Sequence, residues 1–296
     1  MPVLATVVIP VRGDRRISRA LYALSRQTIA RNAFDVIVVE NGTRLFEATV
    51  RGSGATYLWL PEANTSRARN AGIRRAGGTI IACTDADCVP AETWIAELVK
   101  GFEDSPDVAA IGGRVDRYKP RTPVQQYGAN LVNNQSALNY LPILPLPYVV
   151  TANCAFSRDA LERVGGFDET LLSGADVDIC YSLGLKGYTL ALAPEAVVFH
   201  DNRATISGHF RRFFRYAVYQ AALFRKYRNV AGRRGRFNTY PYRCWFQAGR
   251  HLYAAFSARG EERRSTAWAG LLLAVEGAGV LAGDMYGSLK FRVLYI

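Results

Sequence analysis

The sequence predicts an α/β protein: a mostly parallel sheet flanked by helices, continued by a basic, mostly helical appendage. Two observations predict the sheet. Short runs rich in β-branched residues recur with helix-patterned stretches between them, the signature of strand–helix–strand crossovers. A chain of 296 residues at 49% hydrophobic content is also large enough to bury a full core of that kind. A third observation predicts the appendage. Residues 203–296 hold 17 of the 37 basic but only 4 of the 25 acidic side chains, a balance of +13, which leaves residues 1–202 near neutral at −1.

In chain order, Val3–Ile9 reads as the first strand and Ile17–Gln27 as the helix after it. Phe34–Glu40 and Thr56–Leu60 read as the next strands, Ser66–Ala76 as a helix, and Thr79–Thr84 as the fourth strand. Pro90–Phe102 is helix-patterned, Val108–Val115 and Tyr188–Ala191 are further strands, and a helix over Asp176–Leu185 is ended by Gly187. Residues 119–150 carry five prolines around a helical middle and read as an insertion near a substrate site. No repeat of solenoid period is present.

The fourth strand stops on Thr84-Asp85-Ala86-Asp87. Alternate residues of an extended chain point the same way, so Asp85 and Asp87 can face one ligand at the strand's C-terminal edge, where open α/β sheets bind ligands. Two hard oxygen donors so placed suit Mg²⁺ or Mn²⁺, and such an ion suits a diphosphate. Asp is also common in loops and at helix N-caps, so the pair alone is a weak signal. There is no GxGxxG after the first strand and no GxxxxGK[ST], which removes the main support for a dinucleotide or P-loop site. A bound nucleotide would instead meet the strand ends at Pro10–Asp14, Glu40–Thr43 and Asp85–Asp87.

Five cysteines with no CxxC pair indicate neither a zinc knuckle nor a disulfide framework, and read as buried, reduced thiols. The N-terminal apolar run contains Pro10 and gives way at once to Arg12-Gly13-Asp14, unlike a secretory signal, so cytoplasmic residence is expected. From Arg203 to Arg259 there is no acidic residue, and such a segment should seek a polyanion: a phospholipid surface, a lipid diphosphate or a nucleic acid. From Ile206 apolar residues recur at Phe210, Phe213, Phe214, Ala217, Ala221 and Phe224, with arginines flanking. That stripe fits either a core-packing helix with a solvated basic face or a helix lying on an anionic membrane. Tyr240, Tyr242, Trp245, Phe246 and Tyr253 among Arg243 and Arg250 suit an interfacial belt, and would also suit nucleic acid. Ala267–Gly283 is apolar but holds Glu276, and reads as a buried or membrane-dipping helix.

Five blocks, in order over about residues 3–200, resemble the family 2 glycosyltransferases with the GT-A fold: TVVIPVRGD, DVIVVENGT, SRARNAGIRRAGGTIIACTDADC, TANCAFSRDALERVGGFDE and SGADVDICYSLGLKGYTLALAPEAVVFH. The resemblance implies a GT-A (Rossmann-like) catalytic domain over 1–202, with 203–296 as the basic helical region. It also implies roles. Glu40 stands where the family usually has an Asp contacting uracil or ribose; read as a residue alone, it also suits a cap of the following turn. Pro10 and Arg69 would line the same pocket, although Arg69 also suits a surface helix charge. Asp85 would face the ribose or the metal, Asp87 would be the main ligand of a Mn²⁺ or Mg²⁺ ion, and His200 matches a histidine that supplies a further metal contact in some members. Asp176 matches the general base, and Asp178, two residues on along a helix start, would point elsewhere.

Three departures from the family pattern stand out. Ala175 replaces the Glu that commonly precedes the base, Ser182 replaces an Arg six residues after it, and no QxxRW is present. The last of these argues against processive polymer synthesis. The expected reaction is inverting transfer of one sugar from a nucleotide-diphosphate sugar, UDP-linked by preference, to a hydroxyl of a glycan or lipid-linked acceptor. The expected location is cytoplasmic, with a peripheral seat on the inner face of the cell membrane. Rival readings are a sugar nucleotidyltransferase, whose glycine-rich loop is missing after the first strand, a nucleic-acid-binding protein using the basic tail, and a catalytically dead homologue.

Overall fold

The structure, a computed structural model, describes residues 3–127, 138–232 and 237–295. In chain order the elements are β1 (Ala5–Val11), α1 (Ile17–Ser25), β2 (Phe34–Asn41), α2 (Glu47–Gly52), β3 (Thr56–Leu60), α3 (Thr65–Arg75), β4 (Ile80–Thr84), β5 (Cys88–Pro90), α4 (Trp94–Asp104) and β6 (Val108–Arg117). There follow α5 (Pro123–Tyr127), β7 (Asn139–Leu141), β8 (Leu144–Tyr148), β9 (Asn153–Ser157), α6 (Arg158–Val164), α7 (Ala175–Leu185), β10 (Thr189–His200), α8 (Ile206–Ala231), α9 (Tyr240–Ser257) and α10 (Gly260–Phe291). Two compact units result: Met1–Tyr118 with Asn133–Tyr140 and Leu146–His200, and Lys119–Val132 with Leu141–Pro145 and Asp201–Ile296.

The first unit is an eight-stranded mixed sheet in the order β3-β2-β1-β4-β9-β6-β10-β5. β1 pairs parallel with β2 and β4, and β2 with β3. Every residue of β1 is buried, which is why its sequence is a continuous apolar run and not an alternating one. β9 enters antiparallel between β4 and β6, with Thr84 opposite Asn153, and β10 then runs parallel to β6. β5 closes the edge antiparallel to β10, with Cys88 opposite His200.

Neither β5 nor β9 is visible in the sequence pattern: β5 is only three residues long, and β9, Asn-Cys-Ala-Phe-Ser, has none of the β-branched residues that mark a strand. β5 takes Pro90 from the predicted helix, so α4 begins at Trp94. β10 continues far beyond Ala191, to His200, with a register shift between Ala193 and Val197. Pro194 falls there; it lacks the donor that a regular ladder needs. Asn153 fastens the centre of the sheet: fully buried, it accepts from Trp94 Nε1 at 2.7 Å and donates to the carbonyls of Arg114 and Ala196, both at 2.7 Å.

In the predicted insertion the structure shows α5 and the two-stranded β7–β8 ladder. Residues 128–137, which include most of its expected helical middle, lie outside the described residues.

The second unit is built on α8, α9 and α10. The glycines of α10 explain its packing. A Cβ on Gly279, Gly283 or Gly287 would meet the carbonyl oxygens of Phe210, Phe214 and Val218 of α8 at 2.9, 2.4 and 2.7 Å. The contacts advance together, four residues at a time on both helices, so α8 and α10 run parallel in backbone contact. On the other side a Cβ on Gly270 or Gly277 would lie 3.1 and 3.0 Å from the carbonyl oxygens of Ala248 and Pro241 of α9. Among the described residues α10 is the one helix long and apolar enough to span a bilayer by length and composition, yet 44% of its most apolar stretch is buried in the fold. Glu276 and Asp284 are buried within it, taking hydrogen bonds from the Tyr240 hydroxyl and from Asn238 Nδ2.

Only part of the stripe that begins at Ile206 is core-forming: Phe213, Ala217, Ala221 and Phe224 are buried, Phe210 and Phe214 are half-buried, and Ile206 is exposed. Periodicity finds such a face without saying what covers it, and here α10 takes part in covering it.

Candidate active site

The C-terminal ends of β1 and β2, the turn after β4, α3, the N-terminus of α7 and the end of β10 carry the predicted residues. Val11 is in register with Glu40, and Asn41 Nδ2 donates to the Val11 carbonyl at 3.0 Å, so Pro10 and Glu40 belong to one stapled rim. Asp85 and Asp87 are partly exposed while Ala86 and Cys88 are buried, but not through the alternation of an extended chain: β4 ends at Thr84 and Cys88 N donates to the Asp85 carbonyl at 3.1 Å, so a tight turn over Asp85–Cys88 presents the two carboxylates.

Arg69, 6% exposed on α3, donates from Nη2 to Asp85 Oδ1 at 2.8 Å and lies over the Phe167 ring. Its Nε has no hydrogen-bond partner. The loop that holds Phe167 is tied to α3 by Asn70, which donates to the Phe167 carbonyl and accepts from its N–H. Burial lifts Asp85 to about 6; Arg69 opposes the rise, and the charges of Asp87 and Asp176 add to it.

Asp176 lies in the first turn of α7. Gly174, the N-cap, has φ +75°, a left-handed conformation in which glycine is unstrained, and this turns the chain into the helix. Burial raises the Asp176 carboxyl above its ordinary value, against hydrogen bonds from the Val177 and Thr151 backbone and the charge of Arg69. Asp178 is 2% exposed and turned into the protein. Ala175 is buried too, so no acidic neighbour stands before Asp176.

His200 Nε2 is 3.6 Å from Asp87 Oδ1, and donor atoms of Asp87, Cys88 and His200 lie within 4.8 Å of one another. Burial, with Asp87 and Asp85 nearby, pushes the Cys88 thiol well up, and sulfur is a soft donor that suits Mn²⁺ and Mg²⁺ poorly. What remains is carboxylate oxygen and imidazole nitrogen, a donor set that fits Mn²⁺ or Mg²⁺. Arg16, absent from the sequence reading, reaches Asp87 Oδ2 at 3.3 Å while gripping Asp14 at 2.7 Å. Asp14 closes the Pro10–Asp14 strand end read from the sequence, whereas the only sequence signal for Arg16 is its place just beyond it.

Glu40 is fully buried. Its carboxylate accepts from Thr43 Oγ1 and Leu45 N at 2.7 Å, Tyr57 OH at 2.9 Å and Phe46 N at 3.0 Å. Burial alone would raise this carboxyl, but those hydrogen bonds outweigh it and hold it below its ordinary value. In the same cage the Tyr57 hydroxyl is pushed up to about 12 by burial and by Glu40.

A family model described as "Glycosyl transferase family 2" matches residues 6–165, a stretch that contains Pro10, Glu40, Arg69, Asp85 and Asp87 and ends before Asp176 and His200. A pre-mycofactocin glycosyltransferase of Mycobacterium tuberculosis is 32% identical over 210 residues, covering 68% of this chain and 43% of that protein. The chain therefore spans less than half the length of that relative. Glycosyltransferase AglE of Haloferax volcanii is 27% identical over 210 residues, 67% of each chain. Among solved structures, the mannosyltransferase PcManGT of Pyrobaculum calidifontis, in complex with GDP-Man and Mn²⁺, superposes with a TM-score of 0.64 at 21% identity, over 98% of this chain and 90% of that one. At that identity the likeness speaks for the GT-A fold.

Proposed function

The chain belongs to glycosyl transferase family 2, and on that premise we propose that it moves a single sugar from a nucleotide-diphosphate sugar, a UDP-sugar first, to an acceptor hydroxyl with inversion at the anomeric carbon. The observation that supports this best is the electrostatic coupling of Asp85, Asp87, Asp176 and Arg69 at one sheet edge, with His200 beside Asp87. Carboxylates are gathered there against their own repulsion, which a protein tolerates where a cation or a proton is to be handled.

Asp87, with Asp85 and His200, would hold a Mn²⁺ or Mg²⁺ ion, which when bound supplies charge neutralisation for the departing diphosphate. Arg69 fixes Asp85 in place, and Pro10 with the loop tied down by Glu40 forms the nucleoside wall. Asp176 takes the proton of the attacking hydroxyl, and a carboxyl raised by burial is the better base for that task. One base and one displacement give inversion. Residues 1–202 carry the catalysis. Residues 203–296 serve a cytoplasmic, peripheral position on the membrane, as a lipid-linked or cell-envelope glycan acceptor requires.

A thermal-shift screen of UDP- and GDP-sugars with and without Mn²⁺ tests the reading. A metal-dependent stabilisation by one donor is expected. Asp176→Asn should keep that shift and lose about 10²- to 10⁴-fold in turnover, whereas Asp87→Asn should lose the metal-dependent shift itself. If no nucleotide sugar stabilises the protein, or pyrophosphate and not a nucleoside diphosphate is released, the reading is wrong.

A further inference from the structure

α9 turns two different faces to its surroundings. Pro241, Cys244, Ala248 and Ala255 are buried on the side of α10, while Tyr242, Phe246, Tyr253 and Phe256 point the other way. Phe246, Tyr253 and Phe256 are 70%, 80% and 84% exposed, although large aromatic side chains are ordinarily half-buried or better. At 100° per residue the outward four fall within one arc, and the exposed Leu252 and Trp245 extend it on one side. Arg243 and Arg250, seven residues apart, line the other side. Each arginine rims an open hollow on this face. One, of about 420 Å³, is lined also by Thr239, Tyr242, Phe246 and Gln247. The other, of about 380 Å³, is lined also by Gln247, His251 and Ala254.

We infer that this face of α9 is the membrane-docking surface of the protein, lying flat in the headgroup layer of an anionic bilayer with Arg243 and Arg250 on lipid phosphates. The inference deepens the peripheral-membrane part of the proposed function and is independent of the transfer chemistry. Charge complementarity selects the occupant. No acidic residue occurs between Arg203 and Arg259, so nothing on this helix repels a negatively charged surface. The apolar arc is continuous and includes aliphatic Leu252, which suits the boundary between headgroups and acyl chains. Nucleic-acid bases would need separate aromatic platforms and would leave much of that arc wet. A second copy of the chain would set Arg243 and Arg250 against their own kind.

Two of the aromatic residues in the predicted belt are partly occupied otherwise. The Tyr240 hydroxyl donates to Glu276, and Trp245 Nε1 donates to the Ala274 carbonyl at 3.2 Å. Phe256, which the predicted belt did not include, is the most exposed residue of the outward arc.

The test is co-sedimentation of the full chain with phosphatidylcholine vesicles, with and without phosphatidylglycerol. The wild type should pellet with the anionic vesicles and stay in solution with neutral ones. R243Q/R250Q should weaken partitioning about ten- to thirty-fold and remove most of its salt sensitivity, and F246S/Y253S/F256S should abolish it. Both variants should keep the unfolding temperature of the wild type, since the changed side chains are exposed. In the unmodified protein, brominated lipids should quench a fluorescence component that Trp245→Phe removes. A wild type that ignores anionic vesicles overturns the inference, as do variants that still pellet, aromatic substitutions that dissolve a dimer, or substitutions that abolish RNA binding and spare vesicle binding. Failure of the transfer reading registers separately, as the absence of a donor-induced thermal shift in a protein that still binds vesicles.

Discussion

Arg16 Nη2 lies 3.3 Å from Asp87 Oδ2, so the carboxylate best placed to hold a cation already has a guanidinium against it. Arg16 is kept there by Asp14, at 2.7 Å from the same nitrogen. A divalent ion and Arg16 would compete for Asp87. Arg16→Gln should lower the Mn²⁺ concentration for half-maximal donor turnover by about two- to five-fold, because a partly exposed ion pair is worth about 1 kcal/mol or less. A metal titration of the two proteins checks it, and a higher Mn²⁺ requirement in the variant would mean that Arg16 assists the ion.

Glu40 tests whether a caged carboxylate acts through its loop. Glu40→Ala leaves the Leu45 and Phe46 N–H groups and the Tyr57 hydroxyl without their acceptor. A loss of about 2–4 kcal/mol should follow, seen as a lower unfolding temperature together with weaker donor binding. Glu40→Asp, one methylene short, should recover only part of both. If Glu40 only contacted the nucleoside, donor affinity would fall and the unfolding temperature would not.

Asp284 gives the second unit a pH dependence. Burial lifts its carboxyl to about 7 from an ordinary 3.8, with Asn238 opposing and Oδ1 unpartnered. Between those values the folded chain binds a proton that the unfolded chain releases, so stability falls as pH rises through the window and the full cost is present above about 7. Asp284→Asn should raise the unfolding temperature at pH about 8, corresponding to about 2–4 kcal/mol, and change little at pH about 4. Asp85 contributes in the same sense in both proteins, so the difference between their unfolding curves isolates Asp284. An Asp284→Asn protein that is no more stable at alkaline pH would show that Asp284 is ionised without penalty.

The glycines of α10 can be told apart from a merely helical one. A Cβ at Gly283 would lie 2.4 Å from the Phe214 carbonyl, whereas one at Gly249, on α9, would meet nothing within 4 Å. Gly283→Val should cost about 2–3 kcal/mol by forcing α8 and α10 apart. Gly249→Ala should add about 0.5–1 kcal/mol from helix propensity. Thermal unfolding of the pair checks both signs.

Local chemistry written into consecutive residues was legible without coordinates. Thr56–Leu60 is the strand that its pattern predicts, and Ile206 opens a long helix. The sequence by itself determined these because strand and helix periods act between residues a few positions apart. Only the tertiary structure decided that Asn153 belongs to a strand between β4 and β6, that a tight turn presents Asp85 and Asp87, that Arg16 meets Asp87, that four donors enclose Glu40, and that Phe246 and Tyr253 of α9 stay exposed while Phe213 and Phe224 of α8 are covered. Each depends on partners distant in the chain or on which face a neighbouring helix covers, and a hydrophobic period cannot distinguish a face met by protein from one met by solvent or lipid.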